Sequence, residues 1–258
     1  GQIVDGDTAT AGSMVSEPSA NEINALADDD SVAAVVVRVD SPGGSATASE
    51  VIRVALENLA RKKPIVYSMG NLAASGGYWI TCTGRPIYAT EGTITGSIGV
   101  LMQTADVTGL LEKIGVKPDT IKSGPLKAQP NPLEVTTPAA RQAIKDVVMD
   151  MYGMFVEMVA ERRNMDLGQA KALADGRVYS GRQALANGLI DAIGSETEAV
   201  DWLEKTREIP AGLAIRNVVI ERPGQAWQNF INGLVGKTLF SERLTLDGLI
   251  SLWHPERW

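Results

Sequence analysis

The sequence predicts an α/β domain built on a mainly parallel sheet. Three features carry that expectation: β-branched runs bounded by turn residues, glycine-rich turns at their C-terminal ends, and helical periodicity resuming after each turn. Residues 32–39 (VAAVVVRV) form the first such run, between Asp30 and the turn Asp40-Ser41-Pro42-Gly43-Gly44. Over residues 47–61, Val51, Ala55, Leu56 and Leu59 recur at helical spacing, and Lys62-Lys63-Pro64 closes the helix with cations suited to its C-terminal dipole. Residues 65–69 form the next strand. After Gly70 the order repeats, with the turn Ala73-Ala74-Ser75-Gly76-Gly77 and a buried helix starting over residues 78–81.

The later elements are shorter. Residues 87–89 and 98–102 are expected strands, 107–114 a short helix and 120–122 an extended piece, while Pro125, Pro130, Pro132 and Pro138 make residues 124–138 a loop. Thr137 and Pro138 form an N-cap and first-turn pair for a helix reaching Arg163, with Ile144, Val147, Val148, Met151, Phe155 and Val159 on its apolar side. Helices follow Asp166, Ser180 and Ser195, the last with a capping box from Ser195 and Glu198. We divide the chain into a domain over residues 1–205 and an extension over 206–258. The extension is rich in tryptophan, and Trp227, Phe230, Ile231 and Leu234 share a helical face expected to pack on the domain, a neighbouring subunit or a membrane surface.

Composition narrows the chemistry. With 258 residues, 44% hydrophobic and 21% charged, the chain has the make-up of a globular domain and not of a disordered one. Acidic residues outnumber basic ones 31 to 24, for a net charge of −7, so no nucleic-acid partner is expected. A single cysteine, Cys82, and a single histidine, His254 near the C-terminus, leave no metal-ligand cluster, no internal disulfide and no internal imidazole base. Neither a metal nor an organic cofactor is expected. The longest apolar run, residues 69–84, is too short and too interrupted to span a bilayer. The chain opens at Gly1 into a polar stretch over residues 5–19, and an upstream signal or membrane anchor is expected to have been removed.

Two turns are candidates for a site, because open α/β sheets place ligands at the C-terminal ends of their strands. In the second, the Ser75 hydroxyl sits at a strand-to-helix junction, followed by glycines that admit a substrate and by free helix N–H groups that face a developing anion. In the first, Gly43 and Gly44 can present N–H groups from a neighbouring strand. With no histidine nearby, a serine nucleophile needs a lysine or carboxylate base. A lysine has to sit in an apolar pocket to lose its proton at neutral pH. Asp40 and Asp106 look like turn residues, and Cys82 like a small buried side chain.

Five motifs, in order, resemble one family: VDSPGG (39–44), SMGNLAASGGYWI (68–80), TGSIGV (95–100), IKSGPLK (121–127) and DGRVYSGRQALANGLID (175–191). The sequence is similar, over about residues 30–200, to signal peptide peptidase A of the short, single-domain type. The resemblance implies a ClpP/crotonase-like fold of repeated strand-strand-helix units with a parallel sheet. It implies a serine endopeptidase acting through an acyl-enzyme, with Ser75 as nucleophile, Lys127 as general base in preference to Lys122, Ser97 orienting the lysine, and the N–H groups of Gly44 and Gly76 as the oxyanion hole. It further implies peptide substrates, signal peptides left in the membrane above all, and a homo-oligomeric ring or bowl. A bacterial cell-membrane location follows, with the domain on the extracytoplasmic side, held by an N-terminal anchor missing from this chain. One departure stands out: an acidic residue is expected after the base, and here it is Ala128. An acyl-CoA hydratase or isomerase and an inactive peptide-binding scaffold are the alternatives on the same fold.

Overall fold

A computed structural model describes residues 1–7 and 12–218. The segment over residues 5–19, expected only to be polar, contributes structure. Strands β1 (Gln2–Val4) and β2 (Ser13–Val15) pair in parallel, and helix α1 (Ser16–Asp28) follows directly. The sequence pattern misses them because each strand has three residues, too few to show a period.

Strand β3 (Val35–Ser41) starts three residues later than the apolar run, and helix α2 (Ala46–Lys62) is capped by the Ser45 hydroxyl, which accepts from the Ala48 N–H at 3.2 Å. Strand β4 (Ile65–Ala74) is the longest strand and the axis of the sheet. It runs parallel to β3 on one side; on the other it pairs with β5 (Ile87–Ala89) through residues 67–69 and with β6 (Ile94–Gly96) through residues 72–74. One long strand thus carries two short ones end to end.

Helix α3 (Gly76–Trp79) leaves the end of β4, and α4 (Thr108–Lys113) interrupts a largely exposed arm over residues 101–137. Helix α5 (Pro138–Arg163) begins at the expected cap, with the Thr137 hydroxyl accepting from Ala140 N–H at 3.1 Å. Helices α6 (Leu167–Leu173), α7 (Gly181–Ala186) and α8 (Glu196–Thr206) all start from capping boxes. Strand β8 (Ala192–Ile193) extends the sheet beside β5 in parallel, whereas β7 (Val178–Ser180) joins β6 in the antiparallel sense.

The core lies between the sheet and α2, α3 and the last turns of α5. Ile52, Leu56, Leu59, Tyr67, Tyr78 and Phe155 are fully buried, each contributing roughly 1.5–3 kcal/mol by area. The Trp79 and Phe155 rings meet at 4.4 Å between centroids, which docks α5 on the helix that follows Ser75.

One expectation needs correction. The strand expected at residues 98–102 does not form; the pairing occurs at β6 instead, because Gly96 (φ 84°) and Ser97 (φ 49°) turn the chain out of the sheet. The apolar side of α5 is only partly covered: Phe155 and Val159 are buried, Ile144, Val148 and Met151 are half-buried, and Val147 is exposed. The extension's Trp227, Phe230, Ile231 and Leu234 lie outside the described residues.

Candidate active site

The C-terminal end of β4 holds Ser75 in an unusual backbone conformation, φ 53° and ψ −121°. Side chains disfavour this region, and such strain at a non-glycine residue clusters at functional sites. Local bonds hold it there: Ser75 N–H donates to the Gly96 carbonyl at 2.8 Å, and its carbonyl accepts from Trp79 N–H at 2.9 Å. The sharp turn presents the half-buried hydroxyl at the start of α3.

The first glycine turn packs against the second. A Cβ on Gly43 would stand 2.8 Å from Ser75 Cβ and 2.6 Å from Gly76 N, so only glycine lets the two turns close. A Cβ on Gly76 would fall 3.2 Å from Gly44 N, which places the two candidate oxyanion donors side by side. The orientation of Gly44 follows from β1. Ile3 N–H donates to the Gly43 carbonyl at 2.9 Å and the Ile3 carbonyl accepts from Ser45 N–H at 2.9 Å, so the ladder leaves the Gly44 N–H facing away from β1. Gly44 itself sits at φ 151°, and a side chain there would drive into the Ile3 carbonyl.

Ser97 belongs to the same cluster. The register Ala74↔Gly96, with the Ser75 N–H on the Gly96 carbonyl, places Ser75 and Ser97 one residue beyond the ends of two adjacent parallel strands. Its N–H donates to the Arg177 carbonyl at 2.8 Å, which fixes its own positive-φ turn. Ser75, Ser97, Gly44 and Gly76 are therefore brought together.

Lys127 closes a turn, its N–H donating to the Gly124 carbonyl at 3.1 Å, and its side chain is exposed; no hydrogen bond joins it to Ser75 or Ser97 among the described residues. The loop around it is internally stitched. Glu134 accepts from Lys122 Nζ and from Gln129 Nε2 (2.8 Å), and the Ala128 carbonyl accepts from Asn131 Nδ2 at 3.0 Å. Lys122 is thus held in an ion pair, and its hydrogen bond to Glu134 keeps that carboxyl below the usual range. Ala128, where an acidic residue is expected, has φ 62°, a conformation Asp and Asn tolerate better than Ala.

The other candidates take structural roles. Cys82 is 1% exposed, and burial pushes its thiol up to about 12, so it is no nucleophile near neutral pH. Asp106 accepts from Thr108 N–H at 2.9 Å as a turn residue. Asp40 accepts from Leu72 N–H at 3.2 Å and pins the irregularity where β4 slips its register against β3.

Sequence reasoning misses a polar network beneath α3. Glu50 accepts from Trp79 Nε1 at 2.7 Å and from Arg53 Nε at 2.8 Å; Arg53 also reaches Glu57 at 3.0 Å, and Glu57 accepts from Arg162 of α5 at 2.6 Å. Burial pushes the Glu50 carboxyl up, but the bonds from Arg53 and Trp79 outweigh it and hold the group below its ordinary value. The spacing of Glu50, Arg53 and Glu57 on one helix was a legible signal; their partners Trp79 and Arg162 were not.

Comparison with known proteins identifies the family. Residues 57–210 match the model of "Peptidase family S49", a stretch containing Ser75, Gly76, Ser97 and Lys127. The chain is 41% identical over 189 residues to the "Putative signal peptide peptidase SppA" of Enterococcus faecium, covering 73% of this chain and 55% of that protein. It is 38% identical over 224 residues to "Protease 4" of Haemophilus influenzae, covering 86% and 36%. It is 32% identical over 252 residues to "Serine protease SPPA, chloroplastic" of Arabidopsis thaliana, covering 96% and 37%. The chain thus spans between about a third and somewhat over half of the length of these relatives. With its α/β architecture of ClpP-like type, the chain belongs to peptidase family S49.

Proposed function

We propose that this chain is the catalytic part of a serine endopeptidase. The observation that carries the reading is the strained Ser75 elbow with the N–H groups of Gly44 and Gly76 side by side next to it. Ser75 attacks the scissile carbonyl, the two N–H groups stabilise the tetrahedral oxyanion, and an acyl-enzyme forms as the amine leaves. Lys127, as the free amine, is the base that takes the Ser75 proton and passes it to the leaving amine; Ser97 orients the lysine amine. Peptides are the substrates, signal peptides left in a bacterial membrane foremost, and the domain works on the extracytoplasmic side. The names of the S49 relatives support the peptidase reading.

Assembly is part of this proposal. The arm over residues 101–137 exposes Leu101 (80%), Ile121 (98%), Leu110, Ile114 and Val135, and the adjoining α5 exposes Val147 and Met154. So much apolar surface on one arm favours burial between copies in a ring or bowl. Lys127 rides on the same arm, which ties the arrival of the base at a Ser75 hydroxyl to the packing of that arm.

A fluorophosphonate probe with turnover of an unstructured peptide tests the reading. The wild type labels at Ser75 and cleaves; Ser75→Ala and Lys127→Ala each lose turnover by orders of magnitude while melting as the wild type does, and the double variant is no worse, since the pair acts as one unit. Light scattering should give a mass several times 27.4 kDa. Turnover that survives Lys127→Ala but not Lys122→Ala reassigns the base, and a strictly monomeric, fully active protein removes the assembly step.

A further inference from the structure

The end of the sheet opposite Ser75 holds a second concave site. A cavity of about 250 Å³ opens where α2 ends and β4 begins, walled chiefly by Arg61, Lys62, Lys63, Pro64, Arg85 and Arg207. Five of its eight wall residues are cations and none is acidic, in a chain whose net charge is −7. Such a concentration against the overall charge calls for a compensating anion.

Among the described residues the compensation is slight. Arg53, Lys122, Arg162, Arg163 and Arg177 each meet a carboxylate within 4.0 Å; of the five wall cations only Lys62 does so among the described residues, through Asp28 of α1. The rest make bonds to neutral groups. Lys63 Nζ donates to the carbonyls of Asp29 and Val32, Arg85 donates to the Ala60 carbonyl at 3.1 Å, and Arg61 to the Asn58 side-chain oxygen at 2.9 Å. The Arg207 guanidinium lies over the Trp202 ring at 5.2 Å. A guanidinium carries five N–H groups, so Arg61, Arg85 and Arg207 retain most of their donors for a ligand.

The C-terminal dipole of α2 accounts for some of these charges. Its half-charge is offset by Arg61 and Lys62 in the last turn, and Lys63 interacts electrostatically with the Asp29 carboxylate, which leaves Arg85 and Arg207 in surplus. Forked guanidinium donors on a small concave surface match tetrahedral oxyanions in particular.

We propose that this cavity binds a phosphate group, either free or as the headgroup of an anionic lipid. The ten residues of β4 separate it from Ser75 by about 30 Å at 3.3 Å per residue, so its occupancy is measured independently of peptide hydrolysis.

The test uses the full chain with inorganic phosphate and pyrophosphate, against sodium chloride at equal ionic strength. A ligand that binds only the folded state raises Tm with concentration. Phosphate is expected to raise the wild-type Tm above the chloride control, and the Arg61→Gln/Arg207→Gln variant, altered at two exposed side chains, should melt like the wild type in chloride and bind phosphate at least tenfold more weakly. Flotation with phosphatidylglycerol and phosphatidylcholine vesicles separates the sources. Recovery with phosphatidylglycerol alone, competed by pyrophosphate, assigns a lipid headgroup; a phosphate-dependent Tm without vesicle binding assigns a free phosphate. A phosphate response equal to chloride together with no vesicle binding overturns the proposal, as does a double variant that binds like the wild type.

Discussion

Replacing Ser75 by glycine should stabilise the protein relative to replacing it by alanine, although both changes remove the proposed nucleophile. The two variants lack the same hydroxyl and differ by one methyl group at φ 53°, ψ −121°. Holding a side chain in such a conformation costs on the order of 1–3 kcal/mol, and glycine pays none of it. Glycine also loses about 0.4–1 kcal/mol more backbone entropy on folding. The expected net gain is about 1–2 kcal/mol. For a folded body of this size that corresponds to a Tm difference of roughly 2–8 °C. Thermal and urea melts of both variants, compared with each other, measure it. A Ser75→Gly protein no more stable than Ser75→Ala would mean that the elbow is unstrained, and would remove the premise that tertiary packing holds the nucleophile against its backbone preference.

Three further outcomes are expected. Gly44→Ala places a methyl group against the Ile3 carbonyl and displaces one oxyanion donor, so kcat should fall about 10²–10³-fold with KM little changed; equal kcat in a peptide assay would take Gly44 out of the oxyanion hole. Ser97→Ala should lower turnover by roughly 10- to 1,000-fold, because it removes orientation of the base and not the base; unchanged kinetics leave Ser97 as a turn residue only. The Glu50 carboxyl is held below its ordinary value of 4.5, so its contribution to stability is present above that pH and is lost as pH falls through the lower folded value. Melts at stepped pH should therefore show the wild type more stable than Glu50→Gln near neutrality, with the gap closing in acid; a gap independent of pH refutes the ionic role of Glu50.

Much of the site was legible because its parts are local. The turns at 40–44 and 73–77 announce themselves as glycines after β-branched runs, and a serine at such a junction follows from strand-to-helix geometry. The caps at Thr137, Ser180 and Ser195 were legible for the same reason, since a cap and the N–H it accepts lie within three residues. Lys127 was another matter. Lys122 and Lys127 stand five residues apart in one proline-rich loop, and the motif alone chose between them; the pairing of Lys122 with Glu134 is a contact that residue order does not announce.

By itself the sequence determined the α/β class, the two glycine turns, the long helix and the serine between strand and helix, because propensities, caps and turn chemistry act over a few residues. Only the tertiary structure decided that Gly43 and Gly44 close on Ser75, that Ile3 aims the Gly44 N–H, that Glu50 and Trp79 brace α3, and that five cations line one cavity. Each of these joins residues far apart in the chain, where backbone sterics and strand register set the distance and no local periodicity records it.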